Sequence, residues 1–289
     1  MATKTQATGK QVRPYEPRPG SYLTVGLPDI HFPDHDRLAL ACALGAIQIL
    51  KPKEVGFYGD VLNCEGFGRH AKTAVLQRRF QTFNKAEIQP CNRMLDWVSG
   101  VAEHVWFLEG NHENNVERKI MELGEFGQEI ADLISPRKLI SEGRKNFTYV
   151  EYVQKPGAEL PHYRIAKDLV AVHGWSHSKN CAAKHLEMAR NFSVVFGHVH
   201  RAQSHTVRQP IDRRRLKAWS PGCLAQLQPL YARHDPTDAV HGFDLIWVTE
   251  DKQKWTSFTV EVQGGVCILP DGRKVDGKEF LPLLREIEG

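Results

Sequence analysis

No apolar run in this 289-residue chain approaches the ~20 residues that a membrane-spanning helix needs. The first twenty residues are polar, with Pro14, Pro17 and Pro19, and contain no hydrophobic segment of the kind that heads a secretory signal. The six cysteines (42, 64, 91, 181, 223 and 267) are scattered and form no Cys-x-x-Cys pair. That argues against a zinc finger and against a disulfide framework, and makes a reducing cytoplasm the expected compartment, with no membrane partner. The net charge of +4 is mild; it permits a phosphate-bearing or nucleic-acid partner without demanding one. Internal repeats and low-complexity blocks are missing too. What the chain does have is 41% hydrophobic residues, enough for a sizeable core, and 14 histidines. The expected organisation is a flexible tail over 1–19, one large domain over 20–262 and a C-terminal extension over 263–289.

The histidines matter because of where several of them fall. Val105-Trp106-Phe107-Leu108 is a short apolar run that stops and hands over to Glu109-Gly110-Asn111-His112-Glu113. The same event recurs four times. Tyr22–Val25 leads to Asp29-Ile30-His31, Val55–Tyr58 to Gly59-Asp60-Val61-Leu62-Asn63, Leu169–Val172 to His173-Gly174, and Val194–Phe196 to Gly197-His198-Val199-His200. Short bounded apolar runs read as buried strands. Loops at one end of a sheet are where such proteins place their chemistry.

Between these runs, Leu38–Leu50 reads as a helix capped at Asp34 or Asp36, and Thr73–Val98 as a long amphipathic helix interrupted near Pro90. Asn114 to about Ile140 reads as helical, within an insertion spanning 114–168 that either selects substrate or braces the sheet. Phe147–Val153 alternates as a strand does, and Tyr163–Ala166 pairs as a hairpin with the run into His173. A short helix capped by Ser178 or Asn180 follows. Later come a hairpin (Ser204–Val207 with Leu216–Trp219) whose connection from Arg208 to Arg215 is basic, and two closing strands, Phe243–Val248 and Trp255–Val262. Strand-helix-strand order early and strand-rich order late predict a mixed α/β (α+β) protein built as a β-sandwich with helices outside.

Mixed oxygen and imidazole donors without thiolate suit Mn, Fe, Zn or similar first-row ions, not a structural zinc. Two such ions about 3.5–4 Å apart can clamp a phosphoryl group and lower the pKa of water toward neutrality. Singly, each motif also fits a turn or an exposed imidazole. In order, Asp-x-His, Gly-Asp-x-x-Asn, Gly-Asn-His-Glu, His-Gly and Gly-His-Val-His resemble the calcineurin-like metallophosphoesterase superfamily, over roughly Leu23 to Leu224, in the style of stand-alone phage and bacterial members. The resemblance implies a four-layer β-sandwich flanked by helices, and a bacterial or phage-infected cytoplasm. It implies two divalent ions, Mn first, with Fe, Zn, Ni, Co or Mg as alternatives. Asp29, His31, Asp60 and His200 would hold one ion; Asp60, Asn111, His173 and His198 the other, with Asp60 bridging. Hydroxide between the ions would attack phosphorus. His112 would contact the phosphoryl group and help the leaving group depart, so Asp60, Asn111 and His112 are the catalytic candidates.

The sequence also departs from the family pattern. Asn111 lies 51 positions after Asp60, a longer gap than usual for the family. Asn63 stands where many members have an Asp that orients the catalytic histidine. Glu109 stands where the protein Ser/Thr phosphatases have a phosphate-gripping arginine, which counts against phosphoprotein substrates. The expected activity is hydrolysis of a phosphodiester in DNA, RNA or a nucleotide. The alternatives are a phosphomonoesterase, a non-catalytic scaffold and a plain nucleic-acid-binding protein. Asn63, Arg69, His70, His177 and Arg201 are the candidate substrate contacts. Trp175 beside Gly174 either stacks on a base or packs. Arg208, Arg213, Arg214, Arg215 and Lys217 either grip a phosphate backbone or form a solvated hairpin tip.

Overall fold

In the computed structural model, residues 20–68, 74–152, 159–228 and 238–289 are described. The expected tail over 1–19 and the candidates Arg69 and His70 lie outside them. A six-stranded sheet has the order β11-β10-β1-β2-β3-β4. Its parallel part is β1 (Ser21–Leu27), β2 (Glu54–Phe57), β3 (His104–Leu108) and β4 (Phe147–Val150). β10 (Gly242–Thr249) and β11 (Trp255–Glu261) close it in antiparallel pairing. A five-stranded sheet has the order β5-β6-β7-β9-β8, from β5 (Tyr163–Ala166), β6 (Leu169–Val172), β7 (Ser193–Phe196), β8 (Ala202–Arg208) and β9 (Arg215–Pro221). A small antiparallel pair, β12 (Val266–Ile268) and β13 (Lys274–Asp276), follows.

Side chains alternate across each strand, so the apolar runs serve two cores at once. Val105 and Phe107 of β3 face one way, into the helices α1 (Arg37–Leu50), α3 (Gln89–Val101) and α8 (Gly277–Glu288); Leu44, Met94 and Leu284 belong to that cluster. Trp106 and Leu108 face the other way, where Ala171, Val195 and Trp219 of the second sheet meet them. Val170, Val172, Val194 and Phe196 leave that sheet's far face against α7 (Cys181–Ala189). The result is four layers, helix-sheet-sheet-helix, as expected.

Local chemistry sets the helix ends. The Asp36 carboxylate accepts from Leu38 and Ala39 N–H (3.1 and 2.9 Å) and starts α1. The stretch before β3 differs from expectation. α2 (Ala74–Phe83) continues into α3 through one π-helical turn, Asn84–Ile88, and Pro90 sits inside the first turn of α3 without a break. A proline lacks the N–H that an unbroken α-helix would need at that point, and the wider turn just before it absorbs the misfit. The helical insertion is also three helices: α4 (Asn111–Glu122), α5 (Gly124–Ile134) and α6 (Pro136–Ser141). Left-handed Gly124 (φ +61°) and the Ser135-Pro136 step make the breaks. α4 begins three residues earlier than expected, so Asn111 and His112 occupy its first turn.

Candidate metal centre

The loops that leave β1, β2, β3, β6 and β7 are stitched together by their own backbones. His31 N–H donates to Asp60 C=O (2.9 Å), Phe32 N–H to Val61 C=O (2.8 Å) and Asn63 N–H to Phe32 C=O (3.0 Å). Gly197 N–H donates to His173 C=O (2.8 Å), and Leu224 N–H, just after β9, to Asp29 C=O (3.0 Å). Five of the seven candidate ligands sit in the left-handed region: Asp29 (φ +39°), His31 (+57°), Asp60 (+50°), His198 (+71°) and His200 (+57°). Such backbones cost on the order of 1–3 kcal/mol each and persist only where the surroundings hold them. Two glycines let the loops close. A Cβ on Gly110 would collide with Asp60, and one on Gly197 with the Asp29 carboxylate.

Three groups of donors converge: Asp29, His31 and His200; Asp60, His173 and His198; and His31, Asp60 and His112. Asp60 joins them. Its Oδ2 lies 3.2 Å from His173 Nε2, 3.9 Å from His31 Nε2 and 4.0 Å from His112 Nε2. Its Oδ1 accepts the His112 backbone N–H at 2.9 Å, which caps the positive end of α4. Sequence reasoning gave Asp60 two oxygens with which to bridge; here one oxygen faces both sides and the other anchors the helix. Asn111 Oδ1 is 2.8 Å from His173 Nε2, and both Asp29 oxygens accept His198 N–H at 2.8 Å.

The donor set suits a cation. His173 Nδ1–H donates to Tyr58 C=O (2.8 Å), which turns Nε2 toward Asp60 Oδ2, Asn111 Oδ1 and His198 Nδ1 (3.1 Å). On the other side, the Nε2 atoms of His31 and His200 face each other at 3.2 Å. Two ring nitrogens at that distance need either a proton or a metal ion between them. Electrostatics express the same need. Burial alone would lower the His173 pKa, but the Asp60 carboxylate lifts it to about 9. Burial would raise the Asp60 carboxyl, yet His173 and its neighbours hold it well below the usual range. His198 is pushed down to about 2 by burial and the positive character of His173, and His31 is pushed well down by burial and His112. The three His/Asp groups could therefore hold metal ions, and Asn111 Oδ1 lies beside His173 of one of them.

The other candidates divide. His112 Nδ1 is 2.5 Å from the Asn63 backbone carbonyl, so its Nε2 faces the cluster, with the side chain partly exposed. The Asn63 side chain turns elsewhere: it is buried, bonded to Asp34 through Nδ2 (2.7 Å) and set 3.4 Å from His31 Nδ1. His177 Nε2 stands 2.5 Å from His198 Nε2, the ring nitrogen turned away from His173. Arg201 donates to Ser178 C=O at 3.1 Å. Glu109 is buried and paired with Arg137 (2.9 Å), and Trp175 stacks on His185 at 5.4 Å, so both pack. Sequence reasoning assigned no role to Glu113. Its wholly buried carboxylate accepts from Gly110 (2.9 Å), Asp60 (3.1 Å) and Leu62 N–H (2.8 Å), tying two ligand loops to α4. The available signal was Glu three residues after the helix-capping position Gly110.

Neither the protein-family models nor the curated proteins give a match. Among solved structures, the chain is similar to Vps29 of Chaetomium thermophilum, with 11% identity over 88% of this chain and 92% of that one and a TM-score of 0.39. A second solved structure is 9% identical over 82% of this chain and 98% of that one, with a TM-score of 0.40. At that level the site must be read from its own geometry.

Proposed function

We propose that this protein is a dinuclear metal-dependent phosphoesterase, with a phosphodiester of DNA, RNA or a nucleotide as substrate and Mn as the first candidate metal. The observation that carries the reading is Asp60 Oδ2, set between His31 Nε2 and His173 Nε2, each of which heads its own group of donors. Asp29, His31, Asp60 and His200 would hold one ion, and Asp60, Asn111, His173 and His198 the other. Bound there, the ions would supply Lewis-acid polarisation of phosphoryl oxygens and water of lowered pKa.

The chain's own residues do the rest. Tyr58 C=O and His177 fix the ring orientations of His173 and His198. Asn63 C=O holds His112 by Nδ1, leaving Nε2 as the atom that carries a proton to or from a bound ester. Asn111, in the first turn of α4, presents a neutral oxygen beside the Asp60 charge. An intact donor set argues for catalysis over a scaffold role. The mild basic balance and the buried, neutralised Glu109 favour a diester over a phosphoprotein. The test is a Mn-supplemented hydrolysis panel of bis-aryl and mono-aryl phosphates, cyclic nucleotides, DNA, RNA and phosphopeptides. Turnover of diesters, lost by more than about 100-fold in Asp60→Asn, is expected, because outer partners of metal ligands alone are worth 10–100-fold. Monoester-only turnover would overturn the substrate assignment, and no turnover with any metal would overturn the activity.

A further inference from the structure

A second cluster of charge lies at the opposite end of the five-stranded sheet. Arg215 and Lys217 open β9, Asp168 precedes β6, Lys254 precedes β11 and Trp255 to Ser257 open it; with Gln253 they line a cavity of about 380 Å³. The candidate ligands follow the other ends of β6 and β7. Along β9, Lys217 and Pro221 are separated by about 13 Å of strand.

Lys217 is half-buried, its Nζ 4.5 Å from the centre of the Trp219 ring and 3.2 Å from Ser257 Oγ. Trp255 stacks on Trp219 at 5.5 Å and donates its indole N–H to Asp168 (2.8 Å). Among the described residues, Arg215, Lys217 and Lys254 have no carboxylate within ion-pair distance, although the adjacent Arg214 is paired with Asp212 at 2.5 Å. Three cations line the cavity against the single lining carboxylate of Asp168, with Asp251 acting on Lys254 from outside it. Burial lowers the Lys217 pKa, with Asp244 opposing and Arg215 reinforcing the shift. A partly desolvated ammonium of this kind is costly to keep charged without an anion.

We propose that this cavity binds a phosphate group of a polynucleotide backbone. Lys217, Arg215 and Lys254 supply the charge, and Ser257 and Thr256 offer hydroxyl donors. A run of phosphates fits better than a lone anion because the positive surface continues past the cavity. Arg208 lies opposite Arg215 across the hairpin, and Arg208 and Arg213 are exposed. The cluster does not depend on the metal centre and would hold a chain at a point remote from it.

The test is binding of a labelled single-stranded oligonucleotide to the full chain in chelator, over a salt series, with inorganic phosphate as a second probe. Binding that weakens with salt is expected. Arg215→Gln, Lys217→Gln and Lys254→Gln should each weaken it about fivefold near 0.1 M salt and flatten the log-log salt slope by about 0.7. Their metal content and turnover of a small aryl phosphate should match the parent, which separates failure here from failure of the phosphoesterase reading. If Lys217→Gln does not fold, the exposed Arg215 and Lys254 variants decide. Oligonucleotide binding unchanged in those variants would overturn the proposal, as would a parent protein that takes inorganic phosphate but no oligonucleotide.

Discussion

Asp60 and Asp244 are both buried inside the sandwich, 2% and 0% exposed, and their surroundings drive them to opposite states. Asp244, on β10, is approached by Trp219 Nε1–H (3.1 Å), Thr259 Oγ1 (3.0 Å) and Tyr58 OH (3.4 Å). Burial raises its carboxyl to about 7, against the pull of these donors. Asp60 faces three imidazoles and a helix N-terminus and stays charged. The difference shows what the histidine cluster adds. Burial shifts an acid toward its neutral form, whereas convergent imidazoles hold it as an anion able to receive a cation. Tyr58 joins the two, its hydroxyl at Asp244 and its carbonyl at His173.

Three substitutions sharpen that contrast. The largest effect is expected from His112→Ala, which leaves the seven proposed ligands in place and removes the group proposed to move a proton. Steady-state kinetics should show kcat reduced about 10²–10⁴-fold with metal content unchanged. A variant within a few-fold of the parent would take His112 out of the reaction.

Next comes Asp244→Asn. The folded carboxyl titrates near 7 against 3.8 for the ordinary group, so the folded state holds a proton that the unfolded chain has released. Its share of stability is complete below about pH 3.8 and is lost as pH rises through about 7, on the order of 4 kcal/mol at most. Urea unfolding between about pH 5 and pH 8 should show the parent losing stability with rising pH and Asp244→Asn losing much less. Equal slopes would mean that Asp244 is ionised throughout.

Glu113→Gln should have the smallest effect. An amide can accept from only some of the three N–H groups the carboxylate now serves, so metal affinity should fall 10–100-fold with the fold retained. Titration with Mn followed by circular dichroism checks both halves. Unchanged affinity would make Glu113 a cap for α4 and nothing more.

The sandwich and its converging loops were legible because each buried strand is a short apolar run and each ends at a residue with a donor side chain. The left-handed backbone at Asp29, Asp60 and His198 was not, since only the cross-loop bonds impose it. The role of Asn63 was misread in part. Its backbone carbonyl meets His112, while its side chain turns to Asp34, a residue read as a helix cap that instead pairs with Arg79 (2.6 Å). Asp244 drew no notice because its partners are 15 to 186 positions away, and only sheet packing brings them together. The three-way break after Asn111 was hidden because one glycine and one proline do not by themselves reorient a helix whose face stays amphipathic.

The central proposal is that the donors on either side of Asp60 would hold two cations. Anomalous diffraction from Mn-soaked crystals tests it directly. Two peaks about 3.5–4 Å apart are predicted, one bounded by Asp29, His31 and His200 and the other by Asn111, His173 and His198, with Asp60 between them. A single peak away from Asp60, or no peak at millimolar Mn, would contradict it.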